Sequence, residues 1–230
     1  MSMGKMLAGL AAVAAFGSIS PVMAADTVAY PASSLKAIAQ PLQGRLALGR
    51  AEVTPDSLTI TALKGSDFYT PGDGSPASLS APLVLFPVQG DFIFSARVTI
   101  ALGANFDGAA LMVYADESHW GKLLLERSQP GMDGVTSTVT APHGDDAYHV
   151  MLAPGQQSIY LKITRQGDTL AFYTSNDGSA WSVARDFTLD TALPVMAGFE
   201  AQSPLGDTAT ARFDQIRFES KTPADFWHGE

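Results

Sequence analysis

The chain is 230 residues long, carries 14 Lys and Arg against 23 Asp and Glu, and contains no cysteine. The lack of Cys excludes disulfides, thiolate catalysis and Cys-ligated metal. The acidic balance disfavours phosphate backbones and anionic lipid surfaces, so nucleic acid and membrane are not expected partners.

Lys5 precedes an apolar run, Met6–Ile19, and small residues follow at Val22-Met23-Ala24-Ala25. A positive start, an apolar middle and an Ala-type cleavage site predict a signal peptide over residues 1–24, with export to the periplasm or the medium. The run is too short to cross a bilayer as a helix, and no second run of that kind follows, so no transmembrane segment is expected after cleavage. Cleavage removes one cation and no acid, which makes the exported chain more acidic still. Residues 25–44, rich in Pro, Ala and Ser, read as an N-terminal arm with one helical turn at Leu35–Ala39. The domain itself is expected over 45–219, with a C-terminal tail at 220–230. A chain of about 200 residues can build one all-β core without staples.

Within the domain the strands announce themselves by alternation. Leu58–Ala62 alternates, Phe68–Ser80 reads as a loop broken by Pro71, Gly72, Gly74 and Pro76, and Leu83–Phe86 is a short apolar run. In Phe92–Ile100, Phe92, Phe94, Ala96, Val98 and Ile100 share one flank. Ala109–Tyr114 and Trp120–Glu126 follow, then Val135–Thr140 and His149–Leu152. Tyr160–Trp181 reads as two strands around a tight turn at Gly167-Asp168, closed by a second turn at Asn176-Asp177-Gly178. After Ser182–Asp186 and Val195–Ala201, the last strand runs from Thr208 to Phe218. Its apolar parity switches between Phe213 and Ile216, which predicts a β-bulge at Asp214-Gln215. Short strands with Gly and Asp turns, and no long amphipathic helix, predict an all-β antiparallel sandwich.

Several strings then carry a resemblance. They are Ile60–Tyr69 (ITALKGSDFY), Gly90-Asp91-Phe92, Ala110–Lys122 (ALMVYADESHWGK) and Ile163–Asp168 (ITRQGD). The Ser175-x-Asp177-Gly178-x-x-Trp181 turn and Gly198-Phe199-Glu200-Ala201 with Ser203-Pro204 complete the series. In that order the chain resembles the concanavalin A-like lectin/glucanase superfamily, in its domain-of-unknown-function branch that includes regulation-of-enolase type proteins. The resemblance implies a jelly roll of two curved antiparallel sheets with a concave face on which relatives hold or cleave glycans. It implies no particular reaction. The chain departs from the branch at Ala141–Tyr148, which replaces a more polar turn and puts any site there in doubt.

For chemistry, glycoside cleavage needs two carboxyl groups about 5–5.5 or 6.5–9.5 Å apart. The Glu-x-Asp-x-x-Glu string of superfamily glucanases is missing. Asp116-Glu117 lies in a turn, and Glu126 and Glu200 stand alone on their strands, so any pair must form across the sheet. His119, His143, His149 and His228 have no tight ligand spacing. No cofactor is required by any motif. A three-His metal site is conceivable, and a structural Ca²⁺ is the better-suited metal, with Asp214, Asp91 and Asp107 as candidate ligands.

A binding surface is the better-motivated reading. On Trp120–Glu126, Leu123 and Leu125 take one flank, leaving Trp120, Lys122 and Glu126 on the other. Tyr160 and Lys162 occupy the corresponding flank of their strand. Rings with charged and hydroxyl groups suit sugars, so Trp120, Lys122, Glu126, Tyr160 and Lys162 are the expected ligand-binding residues, with Tyr114 and His119 on the rim. The expected function is a monomeric, non-catalytic glycan- or polysaccharide-binding module. A glycoside hydrolase or lyase with dispersed carboxylates, and an envelope scaffold without a small ligand, are the alternatives. Two carboxylates converging on the concave face would favour catalysis.

Overall fold

A computed structural model of the chain describes residues 27–128 and 131–230. The expected signal segment lies outside the described residues. Among the described residues seventeen strands are formed: β1 (Thr27–Tyr30), β2 (Leu42–Arg45), β3 (Gly49–Thr54), β4 (Ser57–Leu63), β5 (Phe68–Tyr69), β6 (Ser78–Leu79), β7 (Leu83–Pro87), β8 (Phe92–Ile100) and β9 (Gly108–Asp116). They continue with β10 (His119–Ser128), β11 (Met132–Thr140), β12 (Gly144–Met151), β13 (Ser158–Gln166), β14 (Thr169–Ser175), β15 (Ser182–Phe187), β16 (Met196–Gln202) and β17 (Thr208–Glu219). Among the described residues no helix is long and apolar enough to cross a membrane.

Two antiparallel sheets make the expected jelly-roll sandwich. One has eight strands in the order β1-β2-β7-β16-β9-β10-β11-β12, the other seven in the order β15-β14-β13-β8-β17-β4-β3. The inner flanks meet in one core. From the eight-stranded sheet come Leu111, Leu123, Leu125 and Phe199, and from the seven-stranded sheet Phe94, Val98, Leu161 and Phe213, all buried. Phe94 meets Phe199 edge-on at 5.2 Å, and Phe199 meets Phe213 at 5.0 Å. Each such side chain contributes about 1.5–3 kcal/mol by leaving water, which is how a chain without disulfides holds together.

The bulge forms where the parity switch requires it. Asp214 pairs Arg97 and Arg217 pairs Ser95, so one extra residue sits between them, and Gln215 adopts φ 48°. Ile216 and Phe218 therefore turn back toward the core. The hairpin turn has Gly167 at φ 60° as its first central residue, the position where a two-residue turn needs left-handed backbone. In the next turn the Asp177 carboxylate accepts from the amides of Ser179 and Ala180 at 2.7 and 2.8 Å, and Gly178 sits at φ 75°. A Cβ on Gly178 would lie 2.8 Å from the Tyr160 ring. Gly178→Ala is expected to cost about 2 kcal/mol and lower Tm by about 6 °C, read by thermal melting.

Three expectations are corrected. Residues 27–45 are not a loose arm: β1 and β2 extend the eight-stranded sheet, and Leu35, Ile38 and Leu42 are buried in the main core. No helical turn forms at Leu35–Ala39, where Leu35 and Ile38 bridge instead. Phe68–Ser80 carries the β5–β6 ribbon, which places Phe68 over the outer side of the eight-stranded sheet. The tail at 220–230 folds back on the seven-stranded sheet, where the Tyr173 hydroxyl donates to the Phe226 carbonyl at 2.6 Å.

Candidate functional site

The outer flank of the eight-stranded sheet is a grid set by register. One row runs Gly198–Met112–Lys122–Thr138–Asp146, the next Glu200–Ala110–Leu124–Thr136–Tyr148, and the third Gln202–Gly108–Glu126–Gly134. Strands about 4.8 Å apart place these side chains side by side. Gly108 and Ala110 on the middle strand β9 leave space, so the Lys122 side chain crosses over them and donates to Gln202 Oε1 at 2.6 Å. A cavity of about 340 Å³ opens here. Asp67, Lys122, Glu126 and Gln202 line it on one side, Thr136, Thr138, Asp146 and Tyr148 on the other, and Tyr69 stands at its edge.

Its electrostatics are lopsided. Lys122 is the single cation of the lining, is 2% exposed, and closes no ion pair among the described residues. Asp67, Glu126 and Asp146 share the lining with it, and Glu200 lies buried on the same flank of the sheet. Burial raises the carboxyl pKa of both Asp67 and Glu126, and the Lys122 charge opposes the rise in each. Glu200 is fully buried, and neither of its oxygens has a hydrogen-bond partner. Burial pushes its carboxyl up to about 7, against the pull of Lys122 and with the help of Asp67 and Glu126. The hydroxyls are already engaged: Thr136 Oγ1 donates to Glu126 at 2.9 Å and Thr138 Oγ1 to Asp146 at 2.6 Å. Gln202 Nε2 donates to the Phe106 carbonyl at 2.9 Å.

Of the residues expected from sequence, Lys122 and Glu126 line this cavity. Trp120 and Tyr114 share their flank but not their role. Trp120 is fully covered, with Phe68 edge-on at 4.9 Å, and offers no ring to a ligand. The Tyr114 hydroxyl accepts from Arg45 at 2.8 Å beside it. His119 sits at the β9–β10 turn, bonded to Asp116 at 2.9 Å. Tyr160 and Lys162 are a correction, since β13 belongs to the other sheet and faces away from the cavity. Lys162 is 4% exposed, donates to the carbonyls of His228 and Gly229 at 2.9 and 3.0 Å, and lies 4.0 Å from the Trp181 ring centroid. The tail takes up this face.

Sequence reasoning missed Asp67, Tyr69, Asp146, Tyr148 and Gln202. The segment 141–148 reads from sequence as a departing turn, yet strand β12 begins at Gly144 and turns Asp146 and Tyr148 onto the cavity. Its alternation with Thr136 and Thr138 on β11 was the available signal. The acids weighed for calcium are engaged by protein donors. Asp214 holds Arg97 and Arg212, Asp91 accepts from Gly167 N and Thr222 Oγ1, and Asp107 accepts from Ser203 Oγ at 2.8 Å and from two backbone amides. Among the described residues no three His, Asp or Glu form a metal-holding group.

Fold and cavity together define an antiparallel β-sandwich with an acid-rich hollow on the outer flank of one sheet. The chain belongs to the family of proteins of unknown function DUF1349, whose model matches residues 49–221. Similar solved structures include a functionally unknown protein from Saccharomyces cerevisiae, at 19% identity and a TM-score of 0.68, covering 76% of this chain and 97% of that one. Also similar are the GH43 BlXynB protein from Bacillus licheniformis, at 13% identity and a TM-score of 0.55, and the xylan β-1,4-xylosidase from Bacillus halodurans C-125, at 14% and 0.58. The chain covers 39% and 38% of those two proteins, and they cover 76% of it. At these identities the likeness is one of fold. No curated protein matches the sequence.

Proposed function

We propose that this protein is an exported carbohydrate-binding β-sandwich of the concanavalin A-like type that receives a saccharide in the cavity over β10, β11 and β12. The observation that carries this reading is the cavity itself. Its floor is a set of fixed carboxylate, amide and ammonium groups, and phenol rings stand at its mouth. Tyr148 is 73% exposed and Tyr69 36% exposed. Such rings take the C–H face of a sugar while the polar floor takes its hydroxyls. The matched stretch of the longer GH43 proteins is consistent with this, since sandwiches of the same fold occur in chains named for xylan.

The test is retention on a panel of insoluble polysaccharides. Tyr148→Ala is expected to weaken retention about three- to tenfold at unchanged Tm, since the ring is exposed and carries no core contact. Retention equal to the wild type would remove the cavity mouth from the site. Sizing the protein in solution and determining the N-terminal residue of the exported chain check the monomeric state and the cleavage site.

A second reading is favoured by one observation: Asp67 and Glu126 line the same cavity and both hold their protons more tightly than usual. Glycoside cleavage requires two carboxyl groups in one cavity, one of them held protonated, and these two supply candidates for that acid. Release of reducing sugar from the same panel, abolished by Glu126→Gln, would establish the hydrolase reading. Retention without release supports the binding one. Glu200, though also raised, is too deeply covered to reach a glycosidic oxygen.

A further inference from the structure

We propose that the ligand of this cavity carries a protonated amine on its sugar frame, so that the protein selects amino sugars over neutral and acidic ones. The inference rests on the carbohydrate reading of the cavity and specifies its ligand.

The first ground is charge. Three carboxylates line the cavity against one ammonium, and a fourth, Glu200, is buried on the same flank. Even with Glu200 protonated the acids outnumber Lys122, and Lys122 gives its short contact to neutral Gln202. An added cation therefore relieves repulsion among groups that already disturb one another, as Asp67 and Asp146 both raise the Glu126 pKa. A uronic acid or sulfated sugar would add to the repulsion.

The second ground is hydrogen-bond capacity. Several donors in the lining are already directed at protein acceptors: Thr136 at Glu126, Thr138 at Asp146, Gln202 at Phe106, and one Lys122 N–H at Gln202. The three lining carboxylates keep open acceptor capacity in excess of these donors. An ammonium with three donors matches that surplus, whereas an N-acetyl group converts it to one donor and one acceptor. The third ground is Glu200, a wholly buried carboxyl on the same flank that lies too deep to touch a ligand but whose charge, when present, adds to the negative field of Asp67 and Glu126. The tyrosine rings at the mouth add a surface that attracts a cation as well as a sugar face.

The test is calorimetric titration of the full exported chain at about pH 6, where a sugar amine is charged. The probes are a glucosamine tetramer, its fully N-acetylated counterpart, a cellulose tetramer and a galacturonate tetramer. The glucosamine tetramer is expected to bind about tenfold more tightly than the acetylated one, the equivalent of one charge-assisted contact. Asp146→Asn, at an exposed position where the Thr138 bond can persist, is expected to remove most of that preference. Glu126→Gln provides a second variant, with Tm measured for both. Equal affinity for amine and neutral tetramers, or tighter binding of galacturonate, would overturn the amine inference and leave the carbohydrate reading standing. No binding of any tetramer would overturn both.

Discussion

Lys122→Met is expected to destabilise the protein by about 3–5 kcal/mol at neutral pH, the usual result of deleting one partner from a buried set of charges. In a domain of this size that lowers Tm by about 10–15 °C. Lys122 is buried at 2% exposure, and its charge holds down the carboxyl pKa of Asp67, Glu126 and Glu200. Without it, three acids confront one another in a half-dry cavity. The folded chain must then either take up protons or bear the repulsion. The loss should therefore shrink on acidification, and a melt near pH 5 should recover much of it. Met keeps the aliphatic stem over Ala110 and Gly108, so packing is nearly conserved. A pH-independent loss would show that the ammonium acts as a packing element and not as a counter-charge.

The second large effect is the pH dependence set by Glu200. Its folded-state carboxyl is raised to about 7 from an ordinary 4.5. The unfolded chain gives up this proton first as pH rises, so the fold is favoured most below about pH 4.5. Stability then falls through the window from 4.5 to 7 and is level above it. The swing amounts to about 3 kcal/mol. Asp67 and Glu126, also raised, act with the same sign. His149 acts the other way in this window, because burial lowers its pKa and its protonation on acidification costs stability. The lowered carboxyls of Asp214 and Asp91 matter only below about pH 4, where their stabilisation is lost. Glu200→Gln isolates the Glu200 share, since His149 and the other acids are common to both proteins. The stability difference between variant and wild type should shift by about 3 kcal/mol in favour of Gln between pH 5 and pH 8, read from urea midpoints. A gap that stays constant over that range would show that Glu200 is charged throughout.

These two expectations meet in the function. The same unneutralised acids that make the empty cavity costly to fold are those proposed to receive an ammonium. A bound amino sugar should thus stabilise the protein most at the pH where its amine is charged and the cavity acids are ionised.

How much of this could be read from the chain depends on distance along it. Period-two alternation placed Leu123 and Leu125 inside and Lys122 and Glu126 outside, because a strand offers only two flanks and one must be dry. The parity switch between Phe213 and Ile216 located the bulge for the same reason. Turn chemistry at Gly167 and at Asp177-Gly178 is equally local, set by backbone sign and a carboxylate two residues from its donors. Alternation says nothing of which sheet a strand joins. Tyr160 and Lys162 repeat the pattern of Trp120 and Lys122, yet β13 lies in the opposite sheet, and the tail covers that face. Nor does it tell an exposed ring from a covered one. Phe68, some fifty residues earlier in the chain, makes Trp120 a core residue. The cavity itself is a product of register. Asp67, Asp146, Glu200 and the β10 pair Lys122 and Glu126 come from four separate segments, and only pairing across β16, β9, β10, β11 and β12, with the β5 ribbon folded over, brings their charges together. Local sterics and the dry flank are written in neighbouring residues, whereas the mutual electrostatics of distant acids exist only once the sheets have closed.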